Sequence, residues 1–549
     1  MSVPAKPAAA PARPAGAGAG AGARPATAGG ARTGPTTGSP RSGPTTASPR
    51  SGPTTGNPGG RPMTTGPTTT GRAGGAPSAN RPMAAHGAQS GIGGKPMAKN
   101  AHVTTLRNGN AVEKRSNGKI SDVHDAGKGM DIHNNLKGGR KVEVKRPDGT
   151  RLVSEKGRAG FIQHSYSFKG KQFSRRAYFF HGKEYTRLYR SYFYRGAYFD
   201  VYAPYFYYGA GFYGWVYNPW YHPAVWGWGW SGAAWAGYYG FYFSPYPTYA
   251  GASYWLTDYM ISQDLQAEYQ ADVEAQSLGA VQAAAEGPVL SPDVKELVAT
   301  EVKNDLALEN AEAQQITQGQ DVDPGSSGIA RLLSDGQPHT FVAGDALDVV
   351  DASGTECALS AGDVLELATA PAADANAADL TVLASKGGGE CPRSDSVSVG
   401  LTDLQEMQNG MRATIDQGLQ QLQSTQGQGG IPAAPASAQT APAETAYAQI
   451  APPPDPNGAA ELAQTDQQAT ATEQADASQA QQEAPAAPDD ASAGAPAAAP
   501  VTIALGQSID DVTAALGQPV TKIDLGSKQI YKYKDMKVTF VNGKVTDVE

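Results

Sequence analysis

Five arginines, Arg175, Arg176, Arg187, Arg190 and Arg195, stand among the aromatics Phe179, Tyr185, Tyr189, Tyr192 and Tyr194. Arginine tracks phosphate and an aromatic face takes a stacked base, so this interleaving has the residue types of a single-stranded nucleic-acid platform. On a half-solvated sheet the same neighbours simply pack by cation–π contact. Downstream, all seven tryptophans fall between Trp215 and Trp255, in a tract punctuated by Gly, Tyr and Pro. Tyr and Trp join a large apolar face to a polar handle, which suits wet–dry boundaries and binding surfaces. Aromatics so crowded are not expected all to be core, which leaves Trp220, Trp226, Trp228 and Trp230 as candidates for stacking bases or sugar rings.

Other chemistry is thin. His124, Asp125, Asp131 and His133 have the side chains of metal ligands, but in an alternating stretch they read as polar-face residues. Asp345, Asp348 and Asp351, or Asp321 with Asp323, lack the loop spacing and terminal carboxylate of a calcium site. No GxxxxGK[ST] phosphate loop, HExxH, CxxC or GxSxG is found, so no catalytic residue, metal or cofactor is expected. The two cysteines, Cys357 and Cys391, sit in one module and point to a disulfide and an oxidising compartment; two separate core thiols are the alternative.

Charge divides the 549 residues. Residues 1–200 carry 32 Lys+Arg against 9 Asp+Glu, the remainder 12 against 43, and the net charge of −8 conceals this asymmetry. No acid precedes Glu113, so the N-terminal arm is purely cationic. Such an arm attracts phosphate, acidic polysaccharide, anionic lipid or the chain's own acidic half. Residues 1–100 are Ala/Pro/Gly/Thr with GPTT units beginning at Gly34, Gly43, Gly52 and Gly66, and residues 426–500 are Ala/Pro/Gln with scattered acids. Both read as disordered, because neither buries enough apolar surface.

Between these arms lie the elements that would position the candidates. From 101 to 200, Asn108-Gly109, Asn117-Gly118, Lys137-Gly138, Asp148-Gly149, Lys156-Gly157, Lys169-Gly170, His181-Gly182 and Arg195-Gly196 recur with one longer gap. Each is a two-residue hairpin signal, and alternation such as Val142 and Val144 between Lys141, Glu143 and Lys145 makes the region a basic antiparallel β-meander. The aromatic tract occupies 201–255. A helical segment over 256–320 carries Leu256, Tyr259, Met260 and Leu265, then Ser291-Pro292-Asp293 opens a helix with Val294, Leu297, Val298 and Val302 on one face. Both helices are acidic on their other faces and can pack against the meander.

Residues 330–425 read as a small β-barrel or sandwich of five or six short strands, followed by a helix that Thr402-Asp403-Leu404-Gln405 opens as a capping box, with Leu404, Met407, Met411, Ile415 and Leu422 as its stripe. Residues 501–549 form a small α+β domain. There Ser508 caps a helix bearing Ile509, Val512 and Leu516, Gly517 and Pro519 end it, and Asn542-Gly543 turns a hairpin.

Leu505-Gly506-Gln507-Ser508, Leu516-Gly517-Gln518-Pro519, Tyr531-Lys532-Tyr533 and Val538–Val545 make this domain resemble the SmpA/OmlA (BamE-like) domain of small outer-membrane assembly lipoproteins. The resemblance implies an envelope location and a scaffolding role, although no lipidated cysteine lies near the N-terminus. Met1-Ser2-Val3-Pro4-Ala5-Lys6 runs into Pro/Ala sequence without an apolar stretch, so no signal peptide is visible in this numbering, and Gly and Pro in the aromatic tract argue against a membrane-embedded helix. The expectation is a modular, mainly β, non-enzymatic protein of the cell envelope (periplasm or outer membrane), adhering to anionic polysaccharide or a membrane surface and docking a protein partner through its C-terminal domain. A nucleic-acid-binding protein is the first alternative, and a glycan-active enzyme the second.

Overall fold

The computed structural model describes residues 91–275, 290–387, 390–483 and most of 507–548. The expectations for residues 1–90 and 484–500 fall outside these. The described fold is mainly β, with eight α-helices.

Its centre is a ten-stranded antiparallel sheet in strictly sequential order. The strands are β1 (His102–Thr105), β2 (Ala111–Lys114), β3 (Ile120–Asp125), β4 (Met130–Asn134), β5 (Arg140–Lys145), β6 (Arg151–Glu155), β7 (Gly160–Phe168), β8 (Lys171–Phe180), β9 (Lys183–Tyr194) and β10 (Ala197–Ala203). Two turn chemistries build it. Lys169-Gly170, His181-Gly182 and Arg195-Gly196 have positive φ at both residues, as the primed two-residue turn requires. The turns at Asn108-Gly109, Asn117-Gly118 and Asp148-Gly149 correct the two-residue expectation. Only their glycine is left-handed, three residues form the loop, and the Asn or Asp side chain accepts the N–H of Asn110, Lys119 or Thr150. The long gap in the series is closed by residues 126–129, with Asp125 accepting from Lys128 N.

One face of this sheet carries cross-strand apolar rows. Val112, Val123, Ile132 and Val142 are successive partners, and beside them Met130, Val144, Leu152 and Ile162. The helix that covers them overturns a sequence expectation. Residues 426–483 are not a disordered linker: they include β18 (Ala443–Glu444), α7 (Ala446–Gln449) and the 26-residue α8 (Gly458–Glu483). Ala, Gln and Glu propagate a helix well. Gly458, Leu462, Thr465, Ala469, Thr472, Asp476 and Ala480 are its buried stripe, small enough for the helix to lie close to strands β2–β8.

The tract after β10 holds β11 (Phe206–Tyr207), which pairs with β18, then α1 (Ala210–Tyr217) and α2 (Ala234–Tyr238). It packs with the longer α3 (Ala252–Ala275), α4 (Pro292–Thr317) and, following a four-residue α5 (Ile329–Leu332), α6 (Leu401–Thr425) into the largest core of the molecule. Ser291 Oγ caps α4 by accepting from Val294 N, while Leu297, expected on the apolar stripe, is 40% exposed. The capping box is not formed: Gly400 is the N-cap of α6, with no side-chain cap, although the stripe from Leu404 to Leu422 is buried.

In place of a barrel or sandwich stands one six-stranded antiparallel sheet, order β12-β15-β16-β17-β13-β14. Its strands are β12 (His339–Val342), β13 (Leu347–Asp351), β14 (Glu356–Leu359), β15 (Val364–Leu367), β16 (Ala377–Ala384) and β17 (Ser396–Gly400). At the C-terminus, β19 (Thr521–Asp524), β20 (Lys528–Lys532), β21 (Lys537–Val541) and β22 (Lys544–Val548) form a four-stranded antiparallel sheet around Val512, Tyr531, Val538, Phe540 and Val545. Of the helix expected there, Ile509, Val512 and Thr513 are helical and the rest lies outside the described residues.

Candidate functional site

The candidate cations do not line a platform. Alternation along β8 and β9 places Arg175 and Arg190 on one face and Arg176 and Arg187, which are cross-strand partners, on the other. Arg176, about 2% exposed, lies over the rings of Phe161 and Tyr189, donates from Nε to Gln163 Oε1 at 2.7 Å and grips both carboxylate oxygens of Glu406 on α6 at 2.7 Å. Burial would raise the Glu406 carboxyl, but Arg176 outweighs this and brings it to about 2. Arg190 donates to Tyr207 Oη at 2.7 Å and stands 3.7 Å from Glu312 of α4. Arg187 stacks on Tyr178 and Tyr185, and Arg195 donates to the carbonyls of Ala372 and Ala375. Arg175 is buried, with Nε and Nη2 unpartnered, and burial lowers its pKa.

The tryptophans likewise turn inward. Trp228 stacks on Trp255 and Trp230 at 5.1 and 5.5 Å and donates from Nε1 to Tyr249 Oη. Trp220 is buried against Trp215, and Trp226 and Trp230 are half-buried. Crowded aromatics can all but fill a core here because the glycine-rich tract folds against three long helices whose acids receive the tyrosine hydroxyls. Tyr207 donates to Glu312, Tyr213 to Glu309, Tyr239 to Asp272, Tyr249 to Asp258, and Tyr202 of β10 to Asp416. The most exposed aromatics are Phe193 and Tyr198 (61% and 76%) and Tyr221 (93%), with Tyr185 and Tyr217 exposed to a lesser degree.

The binding partner of the basic sheet is therefore the chain's own acidic half. Asn409 of α6 accepts from Tyr202 N and donates to Asp200 O, so it occupies the free edge of β10 as a neighbouring strand would. Arg412 of α6 donates to Glu312 at 3.0 Å, both nearly unexposed, and against the upward push of burial Arg412 and Arg190 bring Glu312 to about 2. On α8 the contacts are shallower: Arg146–Glu461 at 2.5 Å and Arg140–Asp466 at 3.6 Å.

The small β module is joined to the meander by charge. Arg115 donates to Asp348 at 2.8 Å and Glu356 at 2.6 Å, while His133 spans Asp122 (2.9 Å) and Asp348 (3.2 Å). Burial opposes protonation of His133, but the two carboxylates overcome it and raise the ring to about 9. These residues line a cavity of about 40 Å³, polar enough to hold water. His124 pairs with Asp131 rather than His133, and among the described residues no group of three His, Cys, Asp or Glu is placed to hold a metal.

A third junction surrounds the disulfide between Cys357 and Cys391. In the loop it closes, Lys386 pairs with Asp363 at 2.5 Å, Glu390 bonds Ser360 and approaches Lys137 of the β4–β5 hairpin, and Lys137 reaches Glu268 of α3, which also holds Arg158. Sequence reasoning missed Glu268, Glu312, Arg412 and Asp416. Their spacing resembles a solvated helix face, and only the distant partner marks them as buried.

No protein-family model matches the chain, and no curated protein or solved structure matches it.

Proposed function

We propose that this is a non-enzymatic structural or interaction protein of the cell envelope, with a self-clasped body and a basic arm that engages an anionic polymer or membrane surface. The observation that carries this reading is the internal use of the body's arginines: Arg176, Arg190 and Arg412 are spent on Glu406, Tyr207 and Glu312. Acids of the later half thus hold the buried arginines of the body, and the nine Lys and Arg of residues 1–90, which have no acid among them in sequence, are the cations this reading assigns to a partner. The disulfide supports an oxidising compartment. The likeness of residues 501–549 to the assembly-lipoprotein domain supports a protein-docking role for that domain. The nucleic-acid alternative loses much of its support, because Arg175, Arg176, Arg190, Trp220 and Trp228 of the side chains that suggested it are buried.

Full-length protein and a variant with the nine arm cations changed to Gln should be compared on polygalacturonate, anionic vesicles and single-stranded RNA at low and high salt. Binding of polysaccharide or vesicles that weakens steeply with salt and disappears in the variant is expected. Failure of all three probes at low salt overturns the reading, and preference for RNA restores the nucleic-acid alternative.

A further inference from the structure

Four acids on α4, Glu301, Asp305, Glu309 and Glu312, are buried on the face turned toward α6 and the aromatic tract. Two have cationic partners, since Glu312 is held by Arg412 and Glu301 faces His339. Glu309, 1% exposed, has none. Its Oε1 accepts from Tyr213 of α1 at 2.6 Å, and its other neighbour is the carboxyl of Asp416 on α6, within hydrogen-bonding reach. Asp416, 6% exposed, accepts from Tyr202 at 2.7 Å through Oδ2, while its Oδ1 meets no donor among the described protein groups.

Two carboxylates side by side in a water-poor site repel, and neither forms an ion pair; Arg412, the cation that tempers both, is paired to Glu312. A proton on one repairs both defects: it removes a charge and supplies the donor that Asp416 Oδ1 lacks. We infer that Glu309 and Asp416 form a proton-binding site, sharing one proton that latches α4 to α6. The other groups facing the pair sharpen this. Asp305 lies one turn away on α4 with Oδ1 also unpartnered, and Tyr208 adds a hydroxyl without a partner. Arg412 and Arg190 are the near cations, and both are turned to Glu312. When the proton leaves for solvent, a second uncompensated charge remains between the helices, and α4 and the aromatic core are driven apart.

The direction of the pH effect follows. Burial raises both carboxyls; Asp416 adds to the push on Glu309, while hydrogen bonds with Tyr202 and Glu309 moderate Asp416, which stands at about 6. The folded state holds a proton that the unfolded chain releases, so stability present in mild acid is lost as pH rises.

The test uses the full chain. Thermal or urea unfolding from pH 5 to 9 is followed by tryptophan fluorescence, beside infrared spectra of the protonated carboxyl stretch. Between the ordinary carboxylate range and the midpoint of the pair, the wild-type folding constant should fall about tenfold per pH unit and level off above it, with loss of the carboxyl band. Glu309→Gln, whose amide supplies the donor permanently, should reduce that slope by about one proton and weaken the band, leaving the share of the other acids that burial raises, Asp264, Asp305 and Asp363. If Glu309→Gln does not fold, Asp416→Asn provides the same comparison. A slope and band unchanged in these variants, or a wild type without the band at pH 6, overturns the inference. So does a slope abolished by added calcium or magnesium, which would mark a cation site.

Discussion

The two ends of the ten-stranded sheet are covered in opposite ways. Strands β2–β6 lie under α8, whose buried stripe has one large apolar residue, Leu462, and whose ion pairs with Arg146 and Arg140 are partly solvated. Strands β8–β10 lie against α6 and α4, where Arg190 and Arg412 are buried on Tyr207 and Glu312 and Arg176 is buried beneath the partly exposed Glu406. Burial decides what such contacts are worth. A solvated pair contributes a few tenths of a kcal/mol and yields to salt, whereas a buried pair cannot lose one member without stranding the other. The α8 cover should therefore lift first, and the side packed on α4 and α6 should set the global stability.

The largest effect belongs to Arg412→Ala. It leaves Glu312, about 2% exposed, with the Tyr207 hydroxyl and, as its nearest cation, the more distant Arg190. The expected loss is about 3–5 kcal/mol, measured by urea unfolding. A loss under 1 kcal/mol would remove the contrast between the two ends. Next comes the disulfide, which closes a 34-residue separation around the Lys386–Glu390 junction. Reduction or a Cys357→Ala/Cys391→Ala double variant should cost about 2–4 kcal/mol. In the native protein both thiols should resist alkylation until reduced.

Acid separates the ends as well. Glu268, Glu312 and Glu406 all stand at about 2 because their basic partners outweigh burial. Their folded values lie below the unfolded ones, so their stabilisation is present above the ordinary carboxylate range and is lost as pH falls toward 2. Combined with the opposite trend of Asp416 at about 6, stability should peak in mild acid. A maximum above pH 8 would contradict this.

Much of the architecture is legible in local chemistry, and the failures have one cause. The Lys169-Gly170 and Arg195-Gly196 turns need left-handed backbone at both positions, a requirement visible in two residues. The β12 strand and the disulfide follow from local pattern and a cysteine count in the same way. Helix α8 is invisible to hydrophobic periodicity because its packing stripe is Ala, Thr and Gly; only the spacing Gly458, Leu462, Thr465, Ala469, Thr472, Asp476 signals it. The acids of α4 mislead more deeply. Asp305, Glu309 and Glu312 have the spacing of a solvated face, and what buries them is Arg412 and a set of tyrosines about a hundred residues away. The arginines and tryptophans misled for the same reason: a side chain that can bind a partner binds an internal one when the chain supplies it.

The smallest expected effect tests the weak end directly. Arg146 is 39% exposed and its partner Glu461 23%, so Arg146→Gln should change global stability by no more than about 0.5 kcal/mol after solvent screening. Hydrogen exchange carries the signal instead, because it reports local opening that global unfolding does not see. Raising salt to about 1 M shortens the Debye length to about 3 Å. That should speed amide exchange in α8 and across β2–β6 while leaving α4 and α6 unchanged, and Arg146→Gln should lower the salt needed. Equal acceleration in α6 would mean that the two ends open together. Protection of α8 unaffected by salt would mean that the close fit of its small-residue stripe on the valine rows, rather than charge, holds it down; Ala469→Asp, placing a charge at a fully buried position, would then be the change that releases it.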